Sequence, residues 1–184
     1  MLRVDGLELR RGDFHLGPLT LELTESSLTL LKGSNGSGKT SFLKTIIGRI
    51  RPTAGSVQVT KPLAAIGIEP ILIGSWTLRQ NADFFSILSH RPKFAISPDL
   101  LKWEHRKVDF LSAGLKRRAE IDLMISLDFQ TYLFDEPLNA LDQQSRHRFA
   151  EQVFDLRSHG KTILIATHDD GGLFDKADKT VNFS

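Results

Sequence analysis

Residues 33 to 40 read Gly-Ser-Asn-Gly-Ser-Gly-Lys-Thr, a complete match to G-x-x-x-x-G-K-[ST]. Such a run works only where a strand enters a glycine-rich turn and a helix leaves it, so it fixes the local fold as strand, loop, helix. The flanks agree: Leu28, Leu30 and Leu31 read as a buried strand, and Phe42, Leu43, Ile46 and Ile47 recur at helical spacing until Gly48. In that setting the backbone N–H groups from Gly33, Ser34, Asn35, Gly36, Ser37, Gly38 and on to Ser41 turn toward an anion at a helix N-terminus. Lys39 is then placed to reach the β- and γ-phosphates of a nucleoside triphosphate, and the Thr40 hydroxyl to ligate Mg²⁺.

Composition narrows the remaining choices. A chain of 184 residues accommodates one α/β domain with a sizeable core. With 24 basic and 22 acidic residues the net charge is only +2, which gives no reason to expect a nucleic-acid partner. Absence of cysteine removes disulfides, thiolate metal sites and cysteine nucleophiles. The six histidines, at 15, 90, 105, 147, 159 and 168, lack metal-ligand spacing. Met1 to Asp5 open without an apolar stretch of signal-peptide length, and no window approaches the roughly 20 apolar residues of a membrane span. A soluble domain is expected.

Elsewhere, Val4, Leu7 and Leu9, then Leu19, Leu21 and Leu23, read as antiparallel strands ahead of the loop. Residues 52 to 56 form a turn before Val57 and Val59. From Pro70 to Phe110 the chain carries Trp76, Phe84, Phe85, Ile87, Leu88, Phe94 and Trp103, with prolines at 92 and 98, and reads as a small helical insertion. Beyond it a helix from about Ala113, a strand at Thr131 to Phe134, a helix from Gln143 to Ser158, a strand at Thr162 to Ala166 and a last strand near Val181 alternate. That order implies a mostly parallel sheet covered by helices, with antiparallel strands at one edge.

The apolar run Thr131-Tyr132-Leu133-Phe134 ends in Asp135-Glu136. A carboxylate at the end of a buried strand beside a phosphate loop is suited to hold Mg²⁺ or its water, the role assigned to Asp135. Glu136, one residue on, is the candidate to accept a proton from, or orient, the water attacking the γ-phosphate.

Leu111-Ser112-Ala113-Gly114-Leu115, followed by Lys116-Arg117-Arg118, resembles the L-S-G-G-Q signature of ABC-type ATPases. Asn139-Ala140-Leu141-Asp142 resembles that family's D-loop, and Ala166-Thr167-His168 its switch strand ending in the H-loop histidine. With the phosphate loop and Asp135-Glu136, these motifs follow the family's order across almost the whole chain. The resemblance implies an α/β P-loop NTPase of ABC type spanning residues 1–184, with an antiparallel β subdomain and a helical subdomain at about 70–128 inserted in the catalytic core. It further implies a head-to-tail homodimer in which Ser112 and Gly114 contact the γ-phosphate held by the partner's Lys39. His168 would sense that phosphate, and Asp142 would link the two sites. Ser112 and Asp142 also precede expected helices, where each serves as an N-cap, and the two roles are compatible.

Three positions depart from the family pattern. Ala65-Ile66-Gly67-Ile68-Glu69-Pro70 places Glu69 where the Q-loop glutamine should stand, and a carboxylate there remains a possible Mg²⁺ ligand. Leu9-Arg10-Arg11-Gly12-Asp13-Phe14 lacks an aligned aromatic for adenine, so that Arg10 or Arg11 becomes the candidate to stack on the base and Phe14 the less well-aligned substitute. Leu115 replaces the signature glutamine.

The resemblance thus implies an ATP-hydrolysing subunit, with ATP and Mg²⁺, that drives integral membrane transporter subunits from the cytoplasmic face of the cell membrane. Within the family it is most similar to the ATP-binding subunit of the heme exporter of cytochrome c maturation. The alternative is a soluble ABC-type ATPase of a scaffold, as in iron–sulfur cluster assembly, without transport. A regulatory GTPase is disfavoured, because the chain has no Asn-Lys-x-Asp run for guanine.

Overall fold

The computed structural model describes residues 2–60, 62–89 and 96–183. Two sheets organise the chain. β1 (Leu2–Arg11), β2 (Phe14–Leu23) and β4 (Ala54–Val59) form an antiparallel sheet in the order β2-β1-β4. β3 (Leu28–Gly33), β5 (Leu63–Ile66), β6 (Thr131–Asp135), β7 (Thr162–Thr167) and β8 (Lys179–Phe183) form a parallel sheet in the order β5-β6-β7-β3-β8. Among the described residues four α-helices accompany them: α1 (Lys39–Ile46), α2 (Leu78–Ser89), α3 (Ala113–Ser126) and α4 (Gln143–Ser158).

The sequence of β1 explains its shape. Leu2 and Val4 are buried with strict alternation, whereas the next buried residue, Leu7, comes three positions later. A plain strand would turn Leu7 to solvent. The pairing with β2 shifts register between Val4 and Leu7, and the extra residue returns Leu7 and Leu9 to the buried face.

Every residue of β6 and β7 is buried, as expected of central parallel strands covered on both faces. Alternation divides them between two layers. Tyr132 and Phe134 pack with α3 and α4, through Ile121, Met124, Phe149, Val153 and Leu156. Leu133, Leu164 and Ala166 point the other way, onto Phe42, Leu43 and Ile46 of α1 and the leucines of the antiparallel sheet. The parallel sheet is therefore the middle layer, and its strand ends present the loops after β3, β6 and β7 side by side.

Among its described residues the Pro70–Phe110 segment contains the helix α2 and two 3-10 turns, Pro98–Trp103 and Val108–Phe110. Leu78, Ala82, Leu100 and Val108 join the apolar cluster that holds α3 and α4, which anchors the segment to the rest of the chain. His90, Pro92 and Phe94 lie outside the described residues. Among the described residues no helix is long and apolar enough to cross a membrane.

Candidate functional site

β3 ends at Gly33, and the loop that follows delivers Gly38 as the residue before α1, with φ 96 and no side-chain cap. A left-handed backbone at that point favours glycine, and a Cβ there would come 2.9 Å from Cζ of Phe14. The start of α1 is thus kept open toward solvent with an aromatic ring beside it.

Lys39 is almost fully buried at the first position of α1. Its ammonium donates to the carbonyls of Gly33 at 2.7 Å and Ser34 at 3.0 Å, and stands 3.6 Å from Glu136 Oε1. One residue on, Thr40 Oγ1 donates to Asp135 Oδ2 at 2.7 Å. The other oxygen, Asp135 Oδ1, is buried with no hydrogen-bond partner. Burial pushes the Asp135 carboxyl above its ordinary value, against the pull of the Thr40 hydrogen bond, while neighbouring Glu136 adds to the rise. A buried, unsatisfied carboxylate oxygen beside a threonine hydroxyl suits a hard divalent cation, which takes oxygen ligands and would offset the cost of ionising Asp135.

Glu136 sits immediately past the strand with φ 45, its N–H donating to the Ala166 carbonyl at 2.8 Å. That backbone aims its carboxylate between β6 and β7. Oε2 lies 2.8 Å from His168 Nδ1, and Oε1 faces Lys39. Thr167 Oγ1 approaches the same carboxylate at 3.5 Å and caps the next turn by donating to the Asp169 carbonyl at 2.8 Å. A cavity of 290 Å³ is lined by Phe14, Asn35, Gly36, Gly38, Lys39, Thr40, Ser41 and Glu136. Lys39, Thr40, Asp135, Glu136 and His168, from three different loops, therefore converge.

The remaining candidates lie apart from this cavity. Ser112 caps α3, its Oγ accepting from Leu115 N at 3.3 Å. Asp142 caps α4 by accepting from Ser145 N at 2.8 Å, and this bond holds its carboxyl below the ordinary value. The two caps are neighbours: Gly114 packs so closely on the Asn139–Asp142 turn that a Cβ on it would lie 2.5 Å from the Ala140 carbonyl oxygen. Within one chain, Ser112, Gly114 and Asp142 do not line the phosphate-loop cavity. A larger cavity, 1290 Å³, runs from Leu115 and Asp142 to Trp103, where Arg118 and Arg148 both pair with Asp99.

Two expected site residues take other partners. Glu69 pairs with Arg49 at 3.1 Å and is half exposed, and it lines a separate 500 Å³ cavity rather than the pocket of Thr40 and Asp135. Among the described residues, no three or more of His, Cys, Asp and Glu group as a metal site. Arg10 bonds Glu8 at 3.2 Å on the exposed face of β1, whereas Phe14, across the hairpin, reaches the cavity. Phe14, the less well-aligned substitute in the sequence, is brought back to the loop by the turn at Gly12-Asp13.

Order of motifs, fold and cavity agree on one class: the sequence pattern described as ABC transporter matches residues 16–139, and the chain belongs to that family. It is 31% identical over 182 residues to the cytochrome c biogenesis ATP-binding export protein CcmA of Maricaulis maris, covering 91% of this chain and 85% of that protein. The corresponding protein of Roseobacter denitrificans is 33% identical over 178 residues, covering 94% and 86%. A Nod factor export ATP-binding protein I of Burkholderia pseudomallei is 33% identical over 159 residues. That match takes in 75% of this chain but 52% of the relative, so the chain spans about half the length of that protein. Among solved structures, the ATP-binding subunit of an ABC transporter superposes with TM-score 0.85 at 22% identity, covering 99% of this chain and 85% of the other. A dimeric ATP-binding cassette bound to ADP and Pi superposes with TM-score 0.84 at 19% identity, covering 100% and 94%. These two likenesses concern the fold.

Proposed function

We propose that the chain is the ATP-binding and ATP-hydrolysing subunit of a membrane ABC transporter. Lys39, Thr40 and Glu136 line one cavity, Asp135 and His168 are hydrogen-bonded to Thr40 and Glu136 behind it, and this grouping carries the reading. Gly33 to Ser41 wrap the phosphates, Lys39 exchanging its loop carbonyls for β- and γ-phosphate oxygens. Thr40 and Asp135 would hold Mg²⁺, which would supply charge neutralisation to the phosphates. Glu136 orients the attacking water and accepts its proton, with His168 holding the carboxylate through the 2.8 Å contact. Phe14 stacks on the adenine, in place of Arg10 or Arg11.

Ser112, Gly114 and Asp142 complete the site of a second copy. Their separation from the cavity of their own chain supports a head-to-tail homodimer closed by ATP and reopened by hydrolysis. Integral membrane subunits would dock on the helical insertion from Pro70 to Phe110, with the protein on the cytoplasmic face of the membrane. The names of the Maricaulis and Roseobacter relatives support export in cytochrome c biogenesis as the setting, and heme as the cargo follows from the family resemblance alone.

Glu136→Gln tests the chemistry. The variant should bind ATP, stop turnover and accumulate as an ATP-bound dimer in size-exclusion chromatography. Undiminished hydrolysis would remove Glu136 from its role. Copurification tests the setting: an integral membrane protein should accompany the tagged chain, whereas soluble companions alone would favour a scaffold ATPase.

A further inference from the structure

α3 carries a side chain that none of the roles above uses. Arg117 lies one turn into that helix and is mostly buried, its side chain 19% exposed. Its guanidinium presses on Gly67, the first residue after β5, where φ is +89. A Cβ on Gly67 would overlap the Asp135 carbonyl oxygen and come within 2.8 Å of Arg117 Nη1. Three segments therefore meet without room for a methyl group: the end of β6 that carries Asp135, the loop leading to Glu69, and α3. Arg117 is fixed from behind. Nη1 donates to Glu120 Oε2 at 3.4 Å, and Glu120 Oε1 accepts from Ile71 N at 3.4 Å, so both ends of the 67–71 loop are tied to one face of α3.

That pair is expensive to bury. Glu120 is 13% exposed, and desolvation pushes its carboxyl above the ordinary value while Arg117 pulls it down. Surface ion pairs contribute little to stability, and a buried one often fails to recover its desolvation cost, so its presence asks for another role. Meanwhile Glu69, the residue at the Q-loop position, is turned outward to Arg49.

We infer that Arg117 is a positioning residue for hydrolysis: wedged against Gly67 and held by Glu120, it keys α3 to the Asp135 end of β6. Because α3 begins beside Ala140 at its Ser112 end, displacement of that helix start moves the guanidinium against the segment that supports Asp135. The inference rests on the ATPase reading.

The test measures steady-state hydrolysis by the full chain, its Mg²⁺ dependence, and binding of ATP without metal, for the unaltered protein, Arg117→Ala, Arg117→Lys and Glu120→Gln. Arg117→Ala should lower kcat about tenfold and raise the Mg²⁺ concentration for half-maximal rate, since a catalytic group misplaced by about an ångström costs one to two orders of magnitude. Metal-free ATP binding should stay within about twofold, because the phosphate loop is untouched. Arg117→Lys should recover most of the rate, and Glu120→Gln should show a weaker loss in the same direction. Unchanged kcat and Mg²⁺ response in Arg117→Ala would overturn the inference. Parallel loss of rate, ATP binding and thermal stability without recovery by lysine would also overturn it, reducing Arg117 to a packing residue. Absence of hydrolysis in the unaltered protein would instead sink the ATPase reading on which it stands.

Discussion

Single residues decide how the cavity meets its nucleotide, and the sharpest case is Phe14 against Arg10. Phe14 lines the cavity and touches the start of α1, while Arg10 is engaged with Glu8. Phe14→Ala should raise the apparent ATP KM at least about fivefold, as loss of one aromatic–base stack costs about 1–3 kcal/mol, with kcat changed less. Arg10→Ala should leave KM near its starting value; the reverse pattern in steady-state kinetics would restore the arginine. Glu120 yields a pH effect. Its folded-state pKa is raised by burial, so between the ordinary glutamate value and the raised one the folded chain binds more protons than the unfolded chain, and stability falls as pH rises through that window. Denaturant titrations of Glu120→Gln across that window should show a flatter profile. The residues of the phosphate loop and Asp135-Glu136 were legible because each motif is local in sequence. Glu69 and Arg10 were not, since their partners Arg49 and Glu8 are fixed by side-chain geometry that spacing does not reveal.

At the scale of elements, legibility followed local capping and periodicity. α4 runs from Gln143 to Ser158 as its sequence indicates, with Asp142 as cap, Phe149, Val153 and Leu156 on one buried face, and Gly160 beyond the end. β1 shows its own bulge in the spacing of Val4 and Leu7. The helical segment was harder to place, although its start carries a capping box: Thr77 N donates to Gln80 Oε1 at 2.8 Å and Gln80 N to Thr77 Oγ1 at 3.1 Å. The next N–H groups are satisfied at long range, Leu78 by Arg106 O and Arg79 by Glu104 O, a closure that no local pattern announces. Thr77→Ala should cost about 1 kcal/mol in chemical denaturation. Phe149→Ala should cost about 3–5 kcal/mol, because the ring is buried edge-on between Phe134, at a centroid distance of 5.0 Å, and Phe174, at 6.0 Å. A loss below about 1 kcal/mol would mean that α4 is not seated on β6 as described.

For the whole molecule, the parallel sheet gathers the loops after β3, β6 and β7 at one end of its central strands, while Ser112, Gly114 and Asp142 stand together at a second place on the same chain. That division is what the proposed two-chain site requires. The proposed machine is two such chains, each offering Lys39 to one ATP and Ser112 to the other. Mixing two inactive proteins, Lys39→Ala and Ser112→Arg, tests this most directly. Each mixed dimer then keeps one site with an intact Lys39 facing an intact Ser112, and the mixture should hydrolyse ATP where neither protein does alone. Heterodimers that form but restore no hydrolysis would contradict the two-chain site.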